Sequence, residues 1–330
     1  MKAESIQSSY LFQGISLLLL FFIVPLQLTL RNPLMHISTS FLVSLQNSRT
    51  SMATNIFSLV EYFNSEFLFC FIVPFILNFV EPIRCSKVIL FVCLSYFLSN
   101  FIAIVFQEYR PFWFSTRVNA EVCLKGYGNP STELIMATVV LSTLAIEFFH
   151  SHKRRWFIYC FVLSLIILIS FSFMYLGENF PHQVLASLFI SFILVTLSFT
   201  FDSQLVKLAN RSCHNYYKNR IKIIFWFIFA IVMMLIVFMI DQLALSFNQE
   251  TPKLINYAVQ HCKVSYNPNG NRNIHDTSSI FYIVSFVAGS LHLSKKLTNY
   301  WNYTNWWKKT IRFVISAGYS FALFYAFGKT

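Results

Sequence analysis

The sequence predicts an all-α integral membrane protein whose helices cross the bilayer many times, and its composition is the main reason. Hydrophobic residues fill 56% of the 330 positions and charged residues only 12%, about half the charged share of a soluble domain. The apolar residues gather in runs of roughly 14 to 21 positions, long enough for membrane helices. The mean hydropathy of +0.58 agrees with this prediction. These features exclude an ordinary soluble enzyme.

Nine apolar runs, each bounded by charged or turn-forming residues, predict about nine transmembrane helices. They cover residues 10–30, 56–80, 88–106, 134–149, 156–176, 184–201, 223–240, 280–293 and 311–327. The first run follows Lys2 and reaches Arg31 without a small-x-small cleavage site, so we expect an uncleaved signal anchor; the apolar region of a cleaved signal peptide is the alternative. The second run is the least regular, because three polar residues interrupt its first half.

The distribution of Lys and Arg sets the predicted orientation, since positively charged loops stay on the cytosolic side. With a cytosolic N-terminus, sixteen of these residues fall on cytosolic segments and nine on the opposite side. The short loop 150–155 holds three consecutive basic residues and is the strongest single determinant. We therefore expect loops 107–133, 177–183 and 241–279 to face the lumen or exterior. The net charge of +12 then indicates contact with membrane lipids at the cytosolic leaflet and not with nucleic acid.

The seven cysteines are scattered without a CxxC pair. This pattern predicts neither a metal site nor a disulfide framework, and no cofactor is expected. Cys123 and Cys262 both fall in predicted luminal loops, where a disulfide can persist. A bond between them and two unrelated thiols are both compatible with the sequence.

Three polar segments interrupt the apolar sequence on the predicted luminal side: 110–113 (Arg-Pro-Phe-Trp), 128–133 (Gly-Asn-Pro-Ser-Thr-Glu) and 175–183 (Tyr-Leu-Gly-Glu-Asn-Phe-Pro-His-Gln). Taken singly, each has an ordinary explanation: a helix end with a snorkelled arginine, an N-terminal helix cap, and a structural histidine. Together, in this order, they resemble the signature motifs of the phosphatidic acid phosphatase type 2 superfamily. The run Tyr-Leu-x-x-x-Phe-Pro-His-Gln-Val-Leu-Ala at 175–186 is more closely similar to the glucose-6-phosphatase family.

This resemblance implies a phosphatidic acid phosphatase type 2-like helical core in a membrane domain at residues 56–330. Residues 1–55 precede it as a signal-anchor helix and a luminal loop. The resemblance also implies the endoplasmic reticulum, with the motif loops in its lumen.

The catalytic groups of the family are degenerate here. The resemblance implies a lysine and two arginines that hold the phosphoryl oxygens, a histidine nucleophile, and a second histidine that protonates the leaving oxygen. The first-motif arginine is present as Arg110 and the second-motif serine as Ser131. The positions of the lysine, the acid histidine, the second arginine and the nucleophile hold Ala103, Glu133, Phe173 and Asn179, respectively.

We therefore expect the site to be inactive, since an asparagine at 179 cannot form a phosphoryl-enzyme. Glu178 and His182 lie near that position, but His182 matches a histidine that the family has beside its nucleophile. Glu133 is expected to pair with Arg110 across the former phosphate site, within about 6 Å.

The leading interpretation is a pseudophosphatase that acts as a binding or structural subunit, with a protein partner or as an oligomer. Residual hydrolysis of glucose 6-phosphate or another phosphomonoester is the alternative, with Glu133 as the acid. For a transporter or channel, the polar residues within the predicted spans are too few.

Overall fold

The computed structural model describes residues 29–64, 82–121, 126–149, 153–200 and 305–327, together with Cys123 and a few positions within 75–79 and 224–243. Eight helices lie in these ranges: α1 (residues 29–47), α2 (Ser51–Asn64), α3 (Pro82–Phe106), α4 (Pro111–Phe114), α5 (Thr132–Phe149), α6 (Arg155–Tyr175), α7 (Pro181–Thr200) and α8 (Trp306–Phe327). No strand occurs in the ranges given. The prediction of an all-α chain is therefore confirmed for the described residues.

Three of these helices are long and apolar enough to cross a membrane: α5, α6 and the Pro181–Phe199 part of α7. The chain is an integral membrane protein. The helices α3 and α5 to α8 begin between one and six residues before the apolar runs that predicted them. Pro82 and Pro181 explain two of these early starts, because a proline at the first helical position loses no hydrogen bond.

The predicted number of nine helices is not reached in the described part of the chain. The runs at 10–30 and 280–293 lie outside the described residues, apart from positions 29 and 30, which belong to α1. Scattered positions represent the run at 223–240, and those are helical. The full number of spans therefore stays a prediction.

Helix α5 is the centre of the bundle and packs against α3, α6 and α7. Its side towards α7 is apolar, with Ile135 and Val139 against Ile190 and Leu194. Small residues also lie in these interfaces, since the serines at 95, 99, 187 and 191 are fully buried on α3 and α7. Small side chains let membrane helices approach closely.

Residues 31–55, which the sequence analysis assigned to a loop, are mostly helical. They contain most of α1 and the start of α2. Helix α1 lacks a long apolar run, so hydropathy does not detect it. Its buried residues Met35, Ser38 and Leu42 recur at the i, i+3 and i+7 spacing of one helix face. That face docks on the bundle and explains why the segment is helical.

The connections that carry the sequence motifs lie together at one end of the bundle. Helices α3 and α6 end there, and α5 and α7 begin there. The backbone N–H of Glu121 donates to the carbonyl of Leu176 at 3.3 Å, which joins the loop at 107–131 to the loop at 176–180. This end of the molecule holds the candidate site.

Candidate functional site

The loop at 107–131 folds back on itself and brings the three motif segments together. The backbone N–H of Gly128 donates to the carbonyl of Glu108 at 2.8 Å. A Cβ atom on Gly128 would lie 2.7 Å from Gln183 Oε1 and 3.1 Å from Arg110 Cγ. Because real Cβ atoms do not approach other atoms that closely, this loop needs glycine at 128.

Arg110 is the buried centre of the site, with 1% of its surface exposed. Its Nε donates to the carbonyl of Gly126 at 3.0 Å. Nη1 donates to Asn179 Oδ1 at 3.3 Å and to the carbonyl of Glu178 at 3.5 Å, and Nη2 donates to Glu133 Oε1 at 3.4 Å. Each of the three guanidinium nitrogens therefore already has an acceptor within the protein.

Glu133 supplies a carboxylate at the second motif position where the resemblance implies a histidine. Its separation of 3.4 Å from Arg110 confirms the predicted ion pair. Glu133 Oε2 accepts a hydrogen bond from Ser131 Oγ at 3.2 Å, so the remnant serine faces the carboxylate. The Glu133 side chain keeps 28% of its surface exposed, whereas that of Arg110 is 1% exposed, so only the acidic member of the pair lies at the edge of the buried site.

Asn179 is fully buried and connects the second and third motif segments. Its Nδ2 donates to the carbonyl of Gly128 at 2.8 Å, and its Oδ1 accepts from Arg110. Its own backbone N–H donates to the carbonyl of Phe173, which fixes the turn after α6. Asn179 thus makes two side-chain hydrogen bonds and one backbone hydrogen bond of structural type at the position where the family nucleophile is implied. An amide nitrogen has no basic lone pair for phosphoryl transfer.

The positions of the other two implied cations are apolar. Phe173 is 1% exposed and packs in a cluster with Leu134, Ala137, Ile169 and Val184. Ala103 is also 1% exposed. These two residues supply no positive charge to the site and no hydrogen-bond donor from their side chains.

A buried network around Glu108 was not predicted from the sequence. Glu108 Oε1 and His182 Nε2 form a short hydrogen bond. Asn129 Nδ2 donates to Glu108 Oε2 at 2.7 Å, and Gln183 Nε2 donates to Glu108 Oε1 at 3.0 Å. A carboxylate two residues before Arg110, with Asn129 on the same loop, was the available signal.

The charge of Glu108 is stabilised by these contacts. Burial alone would raise the pKa of Glu108, but the hydrogen bonds from His182, Asn129 and Gln183 together hold it below its usual value. Glu108 is therefore a buried carboxylate with three side-chain donors, which fix the start of the 107–131 loop against the first turn of α7.

Ser38 of α1 completes this network. Its Oγ lies 3.0 Å from His182 Nδ1, so a hydroxyl, an imidazole and a carboxylate stand in the order found in nucleophilic triads. However, Ser38 lies in the middle of a helix, where its backbone N–H is committed to the carbonyl four residues earlier and cannot stabilise an oxyanion. The imidazole ring of His182 also stacks on the ring of Phe180, with 5.4 Å between the ring centroids. We assign this arrangement to positioning of α1.

Two sequence predictions concern metal ions and disulfides. Within the described residues, no group of three His, Cys, Asp or Glu side chains is arranged to hold a metal ion. Cys123 forms a disulfide bond. Cys262, its predicted partner, lies outside the described residues, so this pairing stays a prediction.

Comparison with known proteins finds a family similarity in this membrane domain. Residues 85–207, which contain most of α3, all of α4 to α7 and most of the site, match the PAP2 superfamily. This segment of the chain is therefore similar to a PAP2 superfamily domain. The match covers less than half of the chain.

A solved structure is also similar. It is described as the crystal structure of the first transmembrane PAP2 type phosphatidylglycerolphosphate phosphatase from Bacillus subtilis. The identity is 15%, the TM-score is 0.49, and the alignment covers 57% of this chain and 96% of that one. No curated protein matches the chain. The closer resemblance to glucose-6-phosphatase stays a prediction.

Proposed function

We propose that this chain is a pseudophosphatase: a glucose-6-phosphatase-like membrane protein without phosphohydrolase activity that acts as a binding or structural subunit. One observation carries the proposal. The three nitrogens of the Arg110 guanidinium are bonded to Glu133, Asn179 and two backbone carbonyls. The arginine that would bind a phosphoryl group therefore holds the loops of the site together instead.

Electrostatics support the same conclusion. A phosphate ester carries up to two negative charges, and phosphatase sites hold it with several cations. Here Arg110 faces the carboxylate of Glu133 at 3.4 Å, and apolar packing surrounds Phe173. A bound phosphate would therefore have to break the ion pair between Arg110 and Glu133. It would then lie close to the Glu133 carboxylate, and Arg110 alone would balance the negative charge of both groups.

A replacement nucleophile is not supplied by the neighbouring histidine. His182 is 8% exposed, its Nε2 faces Glu108 and its Nδ1 faces Ser38. Both ring nitrogens are therefore engaged within the protein. Neither ring nitrogen points to Arg110. The Glu108 network is joined to Arg110 through Gln183 and Asn179 instead.

Phosphate release by purified protein tests the proposal. The natural chain, in detergent, is compared with Glu133→Gln on glucose 6-phosphate and on p-nitrophenyl phosphate. Glu133 is the residue that the alternative reading uses as the acid, and its partial exposure makes the substitution mild. We expect both proteins to release phosphate at the background rate. Turnover by the natural chain that Glu133→Gln abolishes would establish the alternative, a residual phosphohydrolase.

A revertant tests whether the fold itself is competent. It combines Ala103→Lys, Glu133→His, Phe173→Arg and Asn179→His. Activity in the revertant and silence in the natural chain would show that catalysis was lost from a phosphatase fold. Because Phe173→Arg places a charge in an apolar cluster, the monodispersity of the revertant is measured first. If it fails to fold, the comparison of the natural chain with Glu133→Gln still decides the question of activity.

The luminal orientation that we propose for the site has its own test. Arg117→Asn with Asn119→Thr creates a glycosylation sequon on an exposed turn of the 107–131 loop. We expect a glycan sensitive to endoglycosidase H when the protein is made in microsomal membranes. A protein that stays unglycosylated, beside a control sequon on a secreted reporter that is modified, would contradict this orientation.

A further inference from the structure

Helix α1 lies across the loop end of the bundle and does not span the membrane. Near its start, Arg31 Nη2 donates to the carbonyl of Gln107 at 2.7 Å. Just after its end, Arg49 Nε donates to the carbonyl of Tyr175 at 3.0 Å. Gln107 follows α3 and Tyr175 ends α6, so both contacts are at the same end of the bundle. A 19-residue helix is about 28 Å long, and a spanning helix of that length would place its ends at opposite membrane surfaces.

One face of α1 is docked on the site. Met35 and Leu42 are buried in a cluster with Val118 and Phe180, and Ser38 contacts His182. The Gln46 side chain reinforces this docking, since it donates to the carbonyl of Asn119 at 3.1 Å and accepts from its N–H at 3.0 Å.

The exposed part of α1 is divided into two strips. Leu30, Ile37 and Phe41 are 42%, 69% and 50% exposed. At about 100° per residue they form one apolar strip, roughly a third of a turn from the docked face. His36 and Ser40 are also exposed, and they belong to a polar strip further round the helix. A helix with docked, apolar and polar sides in this order is suited to the boundary between protein, lipid and water.

The next helix along the chain, α2, also has an exposed apolar side. Met52, Ile56 and Leu59 of α2 are 73%, 47% and 58% exposed. They lie on a different side of α2 from Phe57, which packs against Phe171 of α6 at 5.5 Å between ring centroids. Since α6 is a candidate membrane span and α2 begins only a few residues after α1 ends, exposed apolar sides on both helices are suited to contact with lipid.

We propose that α1 is a membrane-interface helix whose apolar strip, Leu30, Ile37 and Phe41, binds the acyl chains of the leaflet next to the site loops. This proposal does not depend on whether the site is catalytic.

Site-specific photo-crosslinking tests the proposal. The full chain is placed in phosphatidylcholine nanodiscs with p-benzoylphenylalanine at position 37 or 41, and lipid adducts are measured by mass spectrometry. Position 40 is the matched control on the polar strip, and position 185 on α7 is the lipid reference, since Leu185 is 67% exposed on a candidate span. We expect adducts at 37 and 41 to approach those at 185 and to exceed those at 40 by about fivefold.

Two results would overturn the proposal. One is a lipid-adduct yield at 37 and 41 as low as that at 40. The other is adducts at 37 and 41 that join two copies of the chain instead of lipid, which would make the strip a protein interface. All four positions are exposed, so the bulky probe does not disturb packing, and a monodisperse elution profile for each variant confirms this.

Discussion

Two buried charged groups on the 107–131 loop, Arg110 and Glu108, have different surroundings. Apart from a 3.0 Å bond from its Nε to the carbonyl of Gly126, Arg110 makes longer contacts of 3.3 to 3.5 Å with Asn179, Glu133 and Glu178, and its ion-pair partner is partly exposed. Glu108 is held by contacts of 2.7 and 3.0 Å and by the short bond to His182, all of them buried. Long, partly exposed contacts are weak, whereas short, buried ones are costly to lose. The comparison indicates that Glu108 is the more tightly held of the two charged groups.

Neutralising Glu108 should have the largest effect. Glu108→Gln keeps the shape of the side chain but replaces one of its two acceptor oxygens by an NH2 donor, which then faces either His182 and Gln183 or Asn129. We expect a loss of about 3 to 5 kcal/mol in stability, the range for removing one partner of a buried pair. Thermal unfolding in detergent measures it. A melting temperature equal to that of the natural chain would show that the Glu108 network does not hold the site.

The close approach at Gly128 should give the next largest effect. Gly128→Ala places a Cβ against Gln183 and Arg110, so we expect a loss of about 1 to 3 kcal/mol. The matched control is Gly318→Ala in α8, where nothing lies within 4 Å of the added Cβ. There we expect no loss and a gain of about 0.5 to 1 kcal/mol, because alanine favours helix over glycine. Equal melting temperatures for the two variants would contradict the packing at Gly128.

Acid should destabilise the fold through Glu108. Its pKa is lower in the folded protein than its ordinary value of 4.5. The ionised carboxylate therefore stabilises the fold above pH 4.5, and this contribution is lost as the pH falls through the folded pKa. Melting temperatures measured from pH 6 downward should decrease below about 4.5, with a smaller decrease in Glu108→Gln. Parallel curves for the two proteins would exclude Glu108 as the group responsible.

Neutralising Glu133 should have the smallest effect on stability. Glu133→Gln retains a hydrogen-bond acceptor for Arg110 and removes an ion pair whose acidic side chain is 28% exposed. We expect a loss of about 1 kcal/mol, because Arg110 is buried but keeps a hydrogen-bond acceptor at each nitrogen; this variant is the counterpart of Glu108→Gln in the same unfolding measurement. A loss of stability as large as that of Glu108→Gln would show that the charges of Glu133 and Glu108 stabilise the fold equally.

The transmembrane helices and one contact of the site followed from the sequence. Apolar runs predicted α5, α6 and α7 because a bilayer forces long, continuous apolar segments. The pairing of Arg110 with Glu133 followed from charge, since the motif alignment placed an arginine and a new carboxylate at positions that would surround one phosphoryl group. Both inferences depend on local sequence and need no knowledge of packing.

Helix α1 and the Glu108 network could not be inferred in this way. The docked face of α1 consists of a few residues three or four positions apart, which is too short a pattern to stand out beside membrane helices. Glu108 and Ser38 are 70 positions apart in the chain and meet through His182. Contacts between such distant residues are set by how the helices pack, and a single sequence contains no direct sign of them.

The position of α1 also limits how the molecule can be divided. The region of similarity at 85–207 begins well after this helix, yet the bonds from Arg31, Ser38 and Arg49 support its loops. A fragment cut at the boundary of similarity would leave His182 and the carbonyls of Gln107 and Tyr175 without these partners. The contacts that support the site loops therefore extend beyond the segment that sequence comparison detects, and dissection of this protein should start upstream of residue 29.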